Sequence, residues 1–252
     1  MKTSDKLLLG AGGAVLLAVV VLLLIVRLVV SGHLAGEYGH EPVGKVLPGG
    51  NVNIRVGSGS QGPRASVDFP VLEFSEVEAK GPFDFRVRQS QTPGLTLSAP
   101  ESLLEKVRIT QKNQVIHVHW LPGAWLGSPK VTVELATPVV RRFRLRGLTT
   151  LFLEGFAVDP LELDLGGDSR VTASNASIRS LIVEARGQNE VLLFGNPVGN
   201  ANLDLEGGFR VELTMDGGVL EGTADGAGQV VYEGRVVENR LAASGSARVL
   251  RR

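Results

Sequence analysis

Apolar and polar residues alternate through most of the carboxy-terminal two thirds of the chain, and glycines punctuate the alternation at regular intervals. Gly147, Gly167, Gly187, Gly207, Gly226 and Gly245 follow one another at spacings of 20, 20, 20, 19 and 19 residues. Four residues after each stands Leu151, Val171, Val191, Val211, Val230 or Val249. An earlier glycine, Gly81, is bracketed by Val77, Ala79, Phe85 and Val87 at offsets of −4, −2, +4 and +6. The same offsets from the six later glycines define 24 positions; only Gly222 and Arg251 are not apolar, with Ala and Tyr232 counted as apolar. Random placement at the chain's 43% apolar content would fill about ten. Even offsets keep side chains on one face of an extended chain, while Asp164, Arg186, Asp204 and Glu206 point the other way.

A period near twenty residues is the mark of stacked structural units, none of which can bury its apolar face alone. Each unit predicts a strand, a glycine-marked corner, a second strand and a turn. Stacking places Leu163, Val183 and Leu203 in one column and Val171, Val191 and Val211 in another. The expected fold class is all-β: a single-stranded parallel β-helix, or solenoid, of about 20-residue coils, preceded by one amino-terminal transmembrane helix. At about 4.8 Å per coil, six coils would make a rod about 29 Å long. Residues 74–142 are less regular. Val107 and Ile109, then Val115, Ile116 and Val118, predict two strands around Lys112-Asn113-Gln114, and Val131, Val133 and Leu135 predict another. These are expected to be larger, distorted first coils, with a short helical turn over Ser102 to Lys106.

The amino-terminal pattern is different. Leu7 to Val26 carries no charge, and a helix rising about 1.5 Å per residue spans about 30 Å over that run, the thickness of a bilayer's hydrocarbon. Lys2 and Lys6 before it favour a cytoplasmic amino terminus. The expected organisation is a short cytoplasmic tail (1–6), a transmembrane helix (7–30), a flexible tether rich in Gly, Pro and Ser (31–73) and a β domain (74–252). That places the protein in a bacterial cytoplasmic membrane as a single-pass anchor, with its carboxy-terminal domain in the periplasm or outside the cell. Gly10, Ala14 and Ala18 share one helix face, a ladder that permits pairing with a second copy.

Composition narrows the chemistry. Lys and Arg total 26 against 26 Asp and Glu, a balance that argues against a nucleic-acid partner. The chain has no cysteine, so disulfides, thiolate metal sites and cysteine nucleophiles are excluded. Gly57, Gly59 and Gly62 imitate a dinucleotide fingerprint, but Pro63 and a strand-like run follow where a helix should open. Gly39 to Lys45 imitates a phosphate loop, yet Val46 replaces the required hydroxyl residue.

Phe74, Val77, Ala79, Gly81 and Phe85 open a longer arrangement, with Glu101-Ser102-Leu103-Leu104 next and Val131-Thr132-Val133 leading to Pro138. It closes on Val231-Tyr232, Gly234 and Ala243-Ser244-Gly245-Ser246-Ala247. Over roughly 74–252 this resembles the putative auto-transporter adhesin head GIN domain family of bacterial envelope proteins. The resemblance implies a right-handed parallel β-solenoid behind a signal sequence or anchor, and brings no catalytic residues with it. Many members carry Ser-Gly-Ser or Ser-Gly-Ala in most coils, where this chain has Gly166-Gly167-Asp168 and Gly187-Gln188-Asn189.

Candidate sites are few. His117 and His119 face one side of a strand at a zinc-compatible spacing without an evident third ligand, so no metal or cofactor is expected. Asp168, Asp216 and Asp225 lie near glycines as turn-stabilising residues rather than in a calcium repeat. Glu221, Asp225 and Glu233 are the acids nearest to a hydrolase pair, but the turns around them are short. Two features suit contacts better. The segment His119 to Lys130 holds Trp120 and Trp125, suited to stacking on a sugar or docking a protein. Arg142, Arg144 and Arg146 alternate with Phe143 and Leu145, lining one outer face that could meet anionic lipid or polysaccharide. The expectation is a noncatalytic, membrane-anchored envelope protein that displays its domain for adhesion, binding or scaffolding. Its partners would be an envelope protein or polysaccharide, or further copies of itself. The alternatives are an enzyme acting on envelope polysaccharide and a sensor or assembly subunit that pairs through open ends of the domain.

Overall fold

The computed structural model describes residues 54–59, 62–122 and 131–252, with side chains from residue 65 onward. All belong to the second of the two units into which the chain divides, Met1–Val46 and Leu47–Arg252. The expected cytoplasmic tail, the transmembrane helix at 7–30 and the first part of the tether lie outside the described residues, as does Trp125. Among the described residues no helix is long and apolar enough to cross a membrane.

The strands are β1 (Ile54–Gly59), β2 (Gly62–Phe69), β3 (Glu76–Lys80), β4 (Phe83–Gln89), β5 (Gly94–Pro100), β6 (Val107–Lys112) and β7 (Val115–Trp120). They continue as β8 (Val131–Thr137), β9 (Arg142–Glu154), β10 (Ala157–Val158), β11 (Leu161–Ser174), β12 (Ser177–Gly245) and β13 (Arg248–Arg251). One helical turn, α1 (Glu101–Leu104), falls in the stretch where a turn was expected. β1 and β2 fall within the stretch 31–73.

β9 is the seam of the sheet. Its first half, Arg142–Arg146, pairs in parallel with β3, and its second half, Thr149–Glu154, pairs in parallel with β4. Gly81 and Gly147, at φ of +125° and +109°, sit side by side where the two halves meet. On that side of β9 the sheet divides. The β3 branch continues to β7 and then to β6, antiparallel to it. The β4 branch continues to β8, then through antiparallel pairings to β5, β2 and β1. On the other side β11 pairs with β9, and β12 with β11, residue for residue in parallel.

The expected fold class is therefore corrected. The molecule is all-β apart from α1, but its sheet is mixed and curled, not a uniformly parallel β-helix of 20-residue coils. Four of its pairings are antiparallel: β1 with β2, β2 with β5, β5 with β8 and β6 with β7. The physical reason lies in residues 74–142, where no evenly spaced glycines hold the chain to a fixed return. A parallel neighbour needs a long crossover, whereas two residues can close a hairpin. Asn113, at φ +55°, closes β6 onto β7 in this way.

The core is one cluster from Phe74 to Val230 on the inner side of the curl. Phe85, Phe143 and Phe156 are its bulkiest fully buried members. From β9 on it is layered: Leu163 pairs with Phe143 and Val183, and Val171 with Leu151 and Val191. Close backbone approach at the bends requires glycine. A Cβ on Gly167, whose φ is +106°, would lie 3.0 Å from the Gly147 backbone.

Candidate functional site

Two surfaces carry the chemistry: an outer face across β7, β3, β9 and β11, and a notch beside the glycine bends of β11 and β12.

On the outer face, parallel register sets Arg142 between Glu76 and Glu162, and Arg144 between Glu78 and Asp164. Arg142 donates from Nε to Glu162 at 2.5 Å, and its Nη1 lies 3.4 Å from Glu76 Oε2. The Glu162 hydrogen bond is the main reason the already high pKa of Arg142 is raised further. Arg144 bonds Glu78, which also meets His117 Nδ1 at 3.1 Å. Arg146 donates to Asp164 Oδ2 at 2.6 Å and to the Asp164 carbonyl at 3.0 Å. The three arginines thus line one outer face, with four carboxylates neutralising them. Such partly exposed pairs contribute about 0–1 kcal/mol each, so they align the strands more than they stabilise them.

The same pattern continues along β12. Arg186 meets Glu206 at 3.3 Å, Thr223 donates to Asp204 and Ser244 to Asp225, both at 2.8 Å. Arg240 reaches Glu221 at 2.9 Å, and Thr214 donates to Glu233 at 2.8 Å. Glu221, Asp225 and Glu233, the acids singled out for a hydrolase, are therefore each tied to a different neighbour. His119 is held toward its neutral form by burial, with Arg108 and His117 adding to the effect. Among the described residues no three His, Cys, Asp or Glu side chains gather as a metal would need.

Trp120 packs inward. Its ring stacks on Phe83 at 5.8 Å between centroids, and a Cβ on Gly81 would collide with it. Its Nε1 is buried without a hydrogen-bond partner. The structure does not bring Trp120 together with the arginine row as one site, since β3 lies between β7 and β9.

The notch was missed from sequence. Two residues past the bends, Thr149, Ser169, Asn189 and Phe209 all turn inward, at 3%, 1%, 3% and 6% exposure. Thr149 donates to the Gly81 carbonyl at 3.2 Å, but the Ser169 hydroxyl and both polar atoms of the Asn189 amide have no partner. Each such orphan costs about 1–3 kcal/mol. Above this row opens a notch of about 280 Å³. Asp168, Arg170, Glu190 and Arg210 stand around it, with Gln188 and Phe209 also in its lining. Arg170 pairs with Glu190 at 2.6 Å, and Arg210 pairs with Glu212. A sequence signal existed: the even offset of +2 falls on the inner face, yet holds Thr, Ser and Asn where the other even offsets are apolar.

Comparison with known proteins adds a family. A family model described as "Putative auto-transporter adhesin, head GIN domain" matches residues 73–208. A crystal structure described as a putative adhesin from Bacteroides fragilis is similar, with a TM-score of 0.58 at 15% identity over 75% of this chain and 97% of that one. A putative lipid binding protein from Parabacteroides distasonis aligns with a TM-score of 0.49 at 12% identity, over 75% of this chain and 96% of that one. A putative adhesin from Parabacteroides merdae aligns at 0.47 and 14% identity, again over 75% and 96%. At these identities the likeness of the first is one of fold. No curated protein matches the chain.

Proposed function

This chain belongs to the auto-transporter adhesin head GIN domain family, and from that premise we propose that it is a noncatalytic, membrane-tethered protein of the bacterial envelope whose sheet is displayed for adhesion or scaffolding. The observation that carries the reading is the outer face. Charges and hydroxyls on neighbouring strand segments satisfy one another from Glu76 to Ser244, leaving a largely polar surface, broken by Leu148 and Ile182, instead of acids converging on a cleft. A surface of that kind suits reversible contact, because each internal pair is weak enough to be exchanged for a partner's groups.

The charge-free run Leu7 to Val26 supports a single-pass tether, with 1–6 in the cytoplasm, the part of 31–73 before β1 as spacer, and the sheet, β1 and β2 included, as the displayed domain. The partner is an envelope protein or polysaccharide, met by the segment that carries Trp125 and by the row of Arg142, Arg144 and Arg146. Full-length protein expressed in a host that lacks it should remain in the membrane fraction; a mature chain beginning near His33 would remove the tether. Cells displaying it should be retained on surfaces coated with envelope glycans or proteins, and equal retention of cells without it would end the adhesion reading. Trp125→Ala should weaken that retention with thermal unfolding unchanged; undiminished retention removes this segment as a contact.

A further inference from the structure

Leu72 is 66% exposed, and the fold holds it there. The Gln111 carboxamide of β6 accepts from the Leu72 N–H at 2.9 Å and donates to the carbonyls of Leu72 and Glu73 at 3.1 and 3.2 Å. Two residues on, the Thr137 hydroxyl lies 2.8 Å from the Phe74 carbonyl and 3.0 Å from that of Val139, which is itself 43% exposed. Three segments thus meet at one corner of the sheet and leave two large apolar side chains in solvent. Lys112, next to Gln111, and Arg141, two residues after Val139, are both exposed. Among the described residues neither has an ion-pair partner, whereas Arg142, Arg144 and Arg146 each do. Glu73 is the exposed acid on the same connection, so cations outnumber it.

We propose that this corner docks on the anionic lipid surface to which the chain is tethered, fixing the direction in which the sheet is displayed; this rests on the single-pass reading and names the part that meets the membrane. Three observations converge. The first is chemistry: apolar tips flanked by unpaired cations match a bilayer surface, where acyl chains lie just beneath phosphates. The second is position. β1 begins opposite Val67, at the open end of its hairpin with β2, and β2 leaves that same end through Phe69 toward Leu72. β1 and β6 are the outermost strands of the two branches, so the chain enters the sheet at the end where Gln111 holds Leu72. The third is length. Residues 31–53 are the whole spacer, and a glycine-rich coil of that length has a root-mean-square span of about 25 Å. So short a spacer keeps the corner at high effective concentration beside the lipid, where individually weak contacts suffice.

Substitutions can alter what the corner presents without altering how it is built. Gln111 grips the main chain of Leu72, so Leu72→Asp leaves those hydrogen bonds in place. Lys112→Gln and Arg141→Gln remove charges that pair with nothing among the described residues. The chain has no cysteine, so an introduced one is the sole point of labelling. Gln91 is exposed between β4 and β5, where Ser90 donates to the Thr137 carbonyl at 3.0 Å. A label on Gln91→Cys therefore reads the corner without replacing any of it. Val237, 74% exposed in the last return of β12, supplies the reference position, with β9, β11 and most of β12 between it and the corner.

The test reconstitutes the full-length chain, labelled with bimane at Gln91→Cys or Val237→Cys, into phosphatidylcholine vesicles with or without phosphatidylglycerol. A nitroxide on the lipid headgroup serves as quencher. The expected result is strong quenching at position 91 in the anionic vesicles, less in phosphatidylcholine alone, and little at 237 in either. Lys112→Gln and Arg141→Gln should each lower the ratio of docked to free corner about fivefold, and added salt should act in the same direction. Leu72→Asp should lose the quenching with its thermal midpoint unchanged. Equal quenching at 91 and 237 overturns the proposal, as does quenching indifferent to both charge variants and to Leu72→Asp. Shielding of the label from aqueous iodide that rises with protein density, without nitroxide quenching, assigns the corner to a second copy and overturns it too. Protein that survives an alkaline wash of the vesicles but shows no quenching at 91 sinks the docking and leaves the tether standing. Protein quenched at 91 before the wash and released by it does the reverse.

Discussion

Up to Thr137 the sheet repeatedly changes direction, and its neighbours come from distant parts of the chain: β4 lies beside β8, β8 beside β5 and β5 beside β2. From Arg142 onward each added segment runs parallel to the previous one and meets it at a separation of 19 or 20 residues. Both regions bury one continuous core, yet they secure register by different means. In the first, aromatic bulk and hairpin closure decide: Phe83, Phe85 and Trp120 fill the space where the branches part. In the second, like residues stack on like, and glycine at each bend lets the backbones touch. The difference teaches that a repeat specifies its own neighbours, whereas a mixed sheet needs particular side chains to choose them.

The comparison is tested most severely by paired core substitutions. Val191→Asp puts a carboxylate at a 1% exposed position between stacked segments and should cost at least about 4 kcal/mol in thermal or denaturant unfolding. Phe85→Ala in the mixed region should cost about 3–5 kcal/mol. Hydrogen exchange should then show Phe85→Ala loosening β4 and β8 while amides around Val211 stay protected. If β4, β8 and the Val211 segment lose protection together, the sheet opens as one unit and the distinction fails. An unchanged midpoint in Val191→Asp would count against the stacking itself.

A smaller effect sharpens the role of the bends. Gly167→Val forces a branched residue to φ +106° beside the Gly147 backbone and should cost about 1–3 kcal/mol. A neutral result would mean that the bends tolerate side chains and do not hold the register.

The smallest effect belongs to the mixed region alone. Burial, Arg108 and His117 lower the pKa of His119 below its usual 6.5, so the folded state binds its proton less readily than the unfolded chain. The stability this reflects is complete above about pH 6.5 and is lost as pH falls through the lowered value. Thermal midpoints at pH 7.5 and 5.5 should therefore converge in His119→Gln relative to the native chain. An identical acid shift in both would assign the sensitivity elsewhere.

The repeat makes the stacked region legible in the amino-acid sequence itself. The glycines at 147, 167, 187, 207, 226 and 245 do occupy positive φ, and Leu163 does face Val183, because spacing alone places them. Strand direction between 74 and 142 was not legible. Whether β5 meets β8 parallel or antiparallel depends on contacts between residues about forty positions apart, which local alternation does not encode. The arginine row divides in the same way. Glu162 and Asp164, partners of Arg142 and Arg146, lie 20 and 18 residues away, within reach of the period. Glu76 and Glu78, 66 residues upstream of Arg142 and Arg144, become visible only once β3 is seen beside β9. The notch was not legible either: its only mark in the chain is that offset +2 holds Thr149, Ser169 and Asn189 where the other inward offsets are mostly apolar.

The seam at β9 has an evolutionary corollary. The described strands on its amino-terminal side are committed to a single arrangement, but a segment duplicated between β11 and β12 would meet on each flank the parallel register those strands already share. A chain built this way could lengthen or shorten by whole periods at little energetic penalty, without redesign of the branch point.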